Sequence, residues 1–245
     1  MRFQKIAYAV MRASAPELAW ITTKMEAEIK RSWKSGGVGL MFAVLFGVAI
    51  SFMLRGTAGI GELVPQSETF ERARAPDGSP SMSGRSSNLT VVLFTDYRCP
   101  ACRGSDEAVI KAVQEDGRVD LIVRPLTLFG EESERAARVA LAADKQGRFL
   151  AMHRALMSAA KIDDAGVVQA ARRAGVNLAK LNADLVGDRH IIDRTINRNR
   201  WAAFGLGLAG TPSYLIGRYR VMGALSRDQL ERVFRQARAH DAKLP

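Results

Sequence analysis

The chain has 245 residues, 47% hydrophobic and 25% charged, a balance that excludes a disordered polymer and allows one or two folded domains with a real core. A formal net charge of +11 could point to nucleic acid, but no run of five or more like charges occurs in the sequence. Eight Lys and Arg against three acids fall within the first 55 residues, and the rest of the surplus is diluted among acids, so nucleic acid is set aside as a partner.

Residues 1–35 read as a short cytoplasmic segment. Residues 36–54, "GGVGLMFAVLFGVAISFML", are 19 consecutive uncharged residues, long enough to cross a bilayer as one helix. Lys30, Arg31 and Lys34 precede the run while Arg55 alone follows closely, so the N-terminus is expected in the cytoplasm and the rest outside. A buried core helix should carry a polar stripe, which this run lacks. A cleaved signal peptide rarely starts so far in, and "RGTAGIG" offers only a poor cleavage site, so an uncleaved anchor is favoured. Residues 55–87, rich in Gly, Ser, Pro and charge, are expected to form a mobile linker.

A folded domain is expected over 88–245. "LTVVLFTDY" (89–97) is apolar on both faces over 91–94, as a central strand must be. A helix follows from "SDEAVIKAVQED", then a second buried strand, "VDLIVRPL" (119–126), which together make a βαβ unit. Helical spacing fills about 131–206, with Gly147 as a break and Asp163 or Asp164 as a cap. Two strands return over 211–224 around a Gly217-Arg218 turn. An amphipathic helix over 226–240, capped by Ser226, closes the chain.

The two cysteines, Cys99 and Cys102 in "DYRCPACRG", stand at the first turn of the βαβ unit. A thiolate attacks a disulfide, and the first turn of a helix favours negative charge through unpaired N–H groups and the positive end of the dipole. Pro100 suits that turn, and Arg98 and Arg103 add positive charge. The pair therefore reads as redox-active, with Cys99 the exposed nucleophile and Cys102 the resolver. Two other readings stay open. A metal site needs two further ligands, and His153, His190 and His240 are scattered; a static disulfide would close too short a loop to gain much entropy.

"VVLFTDYRCPACR" together with "GLAGTPSYLIG" resembles the DsbA family of extracytoplasmic thiol–disulfide oxidoreductases. The resemblance implies an α/β thioredoxin-like fold with a helical insertion, preceded here by a single transmembrane helix. It implies a cis bond at Thr211–Pro212, with both residues a platform for the substrate strand. Tyr97, next to the pair, reads either as packing or as a substrate-binding residue that lines a peptide groove. No cofactor is needed, and the substrates are expected to be proteins carrying cysteine pairs; because each turnover leaves Cys99 and Cys102 in the wrong state, the chemistry implies a membrane redox partner that resets them. A bacterial inner-membrane protein with its catalytic domain in the periplasm is expected, acting as an oxidase rather than a reductase. Two departures from the family stand out: Leu93 occupies the position where many relatives carry a proton-relaying Glu, and Ala101 stands where strongly oxidising members have His. The rival from another class is a redox-inactive anchored scaffold using the same fold for docking.

Overall fold

The computed structural model describes residues 60–242. The expected segment 1–35 and the expected span 36–54 lie outside them. Among the described residues no helix is long and apolar enough to cross a membrane.

A six-stranded sheet organises these residues. In chain order its strands are β1 (Glu62–Leu63), β2 (Ser81–Met82), β3 (Leu89–Thr95), β4 (Val119–Pro125), β5 (Ser213–Ile216) and β6 (Tyr219–Met222). Their spatial order is β1-β6-β5-β3-β4-β2. Only β3 and β4 run parallel, Leu89 opposite Val119 through Thr95 opposite Pro125. The crossover that parallel strands require is α2 (Pro100–Asp116), ended by Gly117 in the left-handed region at φ 68°.

Both faces of the sheet are covered, and the alternation of side chains along the strands sorts the core in two. Val91 and Leu93 of β3, Leu121 and Val123 of β4, and Tyr214 of β5 pack with α2 and with α8 (Arg227–Asp241). Val92, Phe94, Ile122 and Leu215 point into a second cluster. That cluster is closed by Phe70 and Ala73 of α1 (Glu68–Arg74) and by Ala202, Ala203 and Leu206 at the end of α7 (Arg189–Gly205).

This overturns the expected mobile linker over the described part of 55–87. β1 pairs with β6, α1 is capped by the Ser67 hydroxyl, and β2 pairs with β4. Composition hid the reason: strands apolar on both faces need a cover on each, and α1 supplies part of the second. The folded unit therefore starts well before residue 88.

A single buried cation fixes that cover. Arg124, fully buried on β4, donates to the carbonyls of Arg72 (3.1 Å), Ala73 (2.9 Å) and Ala75 (2.5 Å), and to Ser79 Oγ and Asn199 Oδ1. The carbonyls belong to the C-terminal end of α1, where a cation meets the negative end of the helix dipole. Burial lowers the guanidinium to about 10, so it keeps its proton at neutral pH. Asn199 completes the tie by donating to the Pro125 carbonyl at 3.1 Å, which fastens α7 to the end of β4.

Between β4 and β5 the chain makes five helices: α3 (Glu131–Asp144), α4 (Phe149–Met157), α5 (Asp164–Arg173), α6 (Leu178–Gly187) and α7. Gly147, at φ 63°, separates α3 from α4. Asp163 caps α5 by accepting from the Gly166 amide at 2.8 Å, and a Cβ on Gly166 would stand 2.2 Å from the Lys161 carbonyl. The Gly217-Arg218 turn joins β5 to β6 with Gly217 at φ 54°. Ser226 and Gln229 form a reciprocal capping box at the start of α8.

Candidate active site

The residue order "DYRCPACR" places the cysteines because β3 ends at Thr95 and α2 begins at Pro100. Proline opens the helix with its φ already set and no N–H left orphaned. Cys99 is the N-cap residue and uses no side-chain cap, so the amides of the first turn keep no competing side-chain acceptor there. Its Sγ donates to the Thr211 carbonyl at 3.2 Å. That bond holds the loop before β5 against the start of α2, and the Thr211–Pro212 peptide is cis. Both cysteines are free thiols. Cys99 exposes only 4% of its surface, so the exposed side chain expected from the sequence is instead a sulfur covered by the Thr211 loop.

Cys102 lies one turn deeper, 2% exposed, and its Sγ accepts from the Asp96 amide at 3.5 Å. Burial pushes its thiol up to about 12, although the Thr95 hydroxyl and that amide pull the other way. No carboxylate on β3 replaces the Glu missing at Leu93. Asp96 is the nearest candidate in sequence, but its carboxylate is filled: Oδ1 accepts from the Arg98 amide (2.8 Å) and Ser133 Oγ (2.7 Å), and Oδ2 from the amides of Leu128 (2.7 Å) and Phe129 (3.4 Å). It clamps the loop before Cys99 to the loop before α3.

Three expected site residues take other positions. Tyr97 is fully buried and its hydroxyl meets His153 Nδ1 at 3.1 Å, so it lines no groove. Burial first, then the charges of Asp106 and Asp96, hold its hydroxyl well above the usual tyrosine range. Arg98 is committed to Glu132 at 3.0 Å and to the Phe129 carbonyl, and Arg103 to the Ala159 carbonyl. Their guanidinium groups tie the loop before α2 to the start of α3 and the first turn of α2 to the segment after α4, which reduces what they can offer the sulfurs. Pro212 is buried and Thr211 half-buried beside Cys99.

Sequence reasoning missed the chain Tyr97–His153–Asp106. His153 Nε2 stands 2.7 Å from Asp106 Oδ1, and the imidazole is fully buried against the Phe149 ring. Nothing in the spacing of residues 97, 106 and 153 signals it, because α4 must pack on α2 before the three meet. Among the described residues no group of three or more His, Cys, Asp or Glu side chains could hold a metal ion.

Comparison with known proteins bears on this geometry directly. The family described as "DSBA-like thioredoxin domain" matches residues 90–235, from β3 through the cysteine pair and the insertion into α8. The chain belongs to the DSBA-like thioredoxin domain family. This is the thiol–disulfide oxidoreductase family that its motifs resemble. Among solved structures, a thioredoxin-like oxidoreductase from Silicibacter pomeroyi is 34% identical, with 66% of this chain and 93% of that one covered at a TM-score of 0.62. A periplasmic thioredoxin-like protein from Salmonella enterica serovar Typhimurium is 30% identical, covering 72% and 99% at a TM-score of 0.61. The catalytic domain of Proteus mirabilis ScsC is 29% identical, covering 69% and 94% at a TM-score of 0.62. A curated relative, the Na(+)/H(+) antiporter NhaA 3 of Salinispora tropica, is 28% identical over 182 residues. The chain spans 26% of that relative's length, about a quarter.

Proposed function

We propose that this DSBA-like protein is an anchored oxidase of protein thiols in the periplasm, with Cys99 and Cys102 as its exchanging pair. The observation that carries the reading is the placement of Cys99, at the N-terminus of a 17-residue helix with its sulfur 3.2 Å from the carbonyl that precedes a cis proline. A helix N-terminus favours a thiolate, and stabilising the thiolate stabilises the reduced pair, which makes its disulfide the stronger oxidant. Ala101 supplies no cation to that effect, so a weaker oxidant than the His-bearing relatives is expected.

The reaction starts from the Cys99–Cys102 disulfide. A substrate thiolate attacks Cys99 Sγ; the S–S bond breaks, a mixed disulfide forms, and Cys102 leaves as a thiolate that takes up a proton. The substrate's second thiolate then attacks the mixed disulfide, so its own disulfide forms and Cys99 departs. Two electrons have passed to the pair, and a membrane redox partner must withdraw them before the next turnover. Attack by Cys102 on the mixed disulfide returns the starting state, which gives an unproductive encounter an exit. Thr211 and Pro212 border Cys99 and would receive the substrate strand.

Anchorage rests on residues 36–54, and orientation on the basic residues before them. Periplasmic residence is supported by the name of the Salmonella relative and by the family. The test is turnover on a reduced two-cysteine peptide together with titration against glutathione. Cys99→Ser should abolish turnover, and Cys102→Ser, given the oxidised peptide, should accumulate a mixed disulfide, because the Cys99 thiolate attacks the peptide's disulfide, one peptide sulfur leaves as a thiolate, and no second protein thiol resolves the product. A potential near about −270 mV, that of thioredoxin, would overturn the oxidative direction. A pair that stays unreactive to alkylation in intact cells would instead favour the passive scaffold.

A further inference from the structure

Helix α7 carries an apolar stripe that the fold leaves uncovered. Its inner face is spent on the core through Ile196, Asn199, Ala202 and Ala203. Its outer face, at helical spacing, is Asn197, Arg200, Trp201 and Phe204, which line an open hollow of about 440 Å³. Trp201 is 72% exposed and Phe204 76%. Their rings meet edge to face, 6.1 Å between centroids and 87° between planes, so the pair stands as one aromatic wedge in water. Nothing in the proposed exchange chemistry uses it.

Two further observations say what covers it. The first is where the chain enters the fold. Arg220 joins Glu62 (2.6 Å) to the Leu206 carbonyl (2.9 Å), so β1 lies beside the last turn of α7, two residues beyond Phe204. Six peptide steps separate Leu54, the last residue of the uncharged run, from Ile60, at most about 21 Å of extended chain. The second is charge: α7 carries Arg189, Arg194, Arg198 and Arg200 against the lone acid Asp193; Arg198 pairs with Asp77, Arg189 with Asp193, and Arg200 lies 4.0 Å from Glu134, while Arg194 is exposed with no acidic partner among the described residues. With 36–54 read as a span, an indole beside arginines on the domain that follows has the composition of a membrane–water interface.

We infer that the Trp201–Phe204 wedge docks on the surface of an anionic bilayer and seats the domain against the membrane that holds its anchor. The inference rests on the reading of 36–54 as a span. The experiment keeps the two apart. The full chain, with Trp20→Phe and Trp33→Phe so that Trp201 is its sole indole, is reconstituted into vesicles of phosphatidylethanolamine and phosphatidylglycerol. Carbonate washing reports the anchor. Quenching by lipids brominated high on the acyl chain, and by aqueous iodide, reports the wedge.

The expected result is retention after washing, quenching of Trp201 by brominated lipid of roughly twofold or more, and shielding from iodide, as an interfacial indole requires. Phe204→Ser should weaken the lipid quenching. Retention with full iodide access and no lipid quenching overturns the docking while the anchor stands. Retention with iodide shielding but no lipid quenching overturns it too, because a second copy of the chain then covers the wedge. Release by carbonate refutes the anchor, and the docking falls with it.

Discussion

Asp96→Asn changes one oxygen for one nitrogen at a carboxylate that accepts four hydrogen bonds and donates none. Oδ1 serves the Arg98 amide and the Ser133 hydroxyl, while Oδ2 serves the amides of Leu128 and Phe129. An amide side chain has one oxygen, so its NH2 must face one of these pairs. Turned toward residues 128 and 129, it meets two N–H donors and loses both bonds. Turned the other way, Ser133 can rotate to accept, but the Arg98 amide cannot. Bonds to a charged, fully buried acceptor contribute about 1.5–3 kcal/mol each, so the amide settles with its nitrogen toward Ser133, one bond is lost, and a cost of about 1.5–3 kcal/mol is expected. The clamp also sets the approach to Cys99, so the loop over 96–99 should loosen and the alkylation of Cys99 should accelerate. Urea denaturation of the reduced protein gives the stability difference from midpoint and slope. A loss below about 1 kcal/mol would show that Asp96 is not the clamp its four bonds describe.

Arg124→Met strands the buried carbonyl of Ala73 and removes the donor from the carbonyls of Arg72 and Ala75, which lie nearer the surface, and about 2–4 kcal/mol should be lost. Limited proteolysis should then cut first near residues 68–80, and cutting elsewhere first would contradict the assignment of α1 as the sheet's second cover. Alkaline pH should weaken the fold through groups whose pKa is raised on folding, Cys102 to about 12 and Tyr97 well above its ordinary value, both chiefly by burial. Such groups hold their proton more tightly in the native state, so their contribution is complete below the ordinary values of 9.0 and 10.0 and is lost as pH rises beyond them. The urea midpoint measured from pH 8 to pH 11 should fall, and a flat profile would count against it. Tyr97→Phe removes the partner of His153 Nδ1 and should cost about 1–2 kcal/mol while the KM for a dithiol peptide stays unchanged. A raised KM would restore Tyr97 to the substrate groove.

Local chemistry is what the sequence announced well. Pro100 after a strand marks the start of α2, Gly147 and Gly217 mark chain reversals, and Ser226 with Gln229 marks the start of α8. Each works through backbone preferences acting within a few residues, which is why a single sequence suffices to read them. Strands apolar on both faces likewise said that two layers must cover the sheet, without saying which segments supply them.

What covers a face, and what a polar side chain finds when buried, is decided by packing between residues far apart in the chain. Residues 60–82 looked like a tether because Gly, Ser and Pro dominate their surroundings. Phe70 and the carbonyls that bind Arg124 become meaningful only against β3, β4 and α7. Tyr97, Asp106 and His153 come from three elements and meet only when α4 settles on α2. Trp201 and Phe204 differ from buried aromatics only in facing outward, and a sequence does not say which stripe of a basic helix the core has taken.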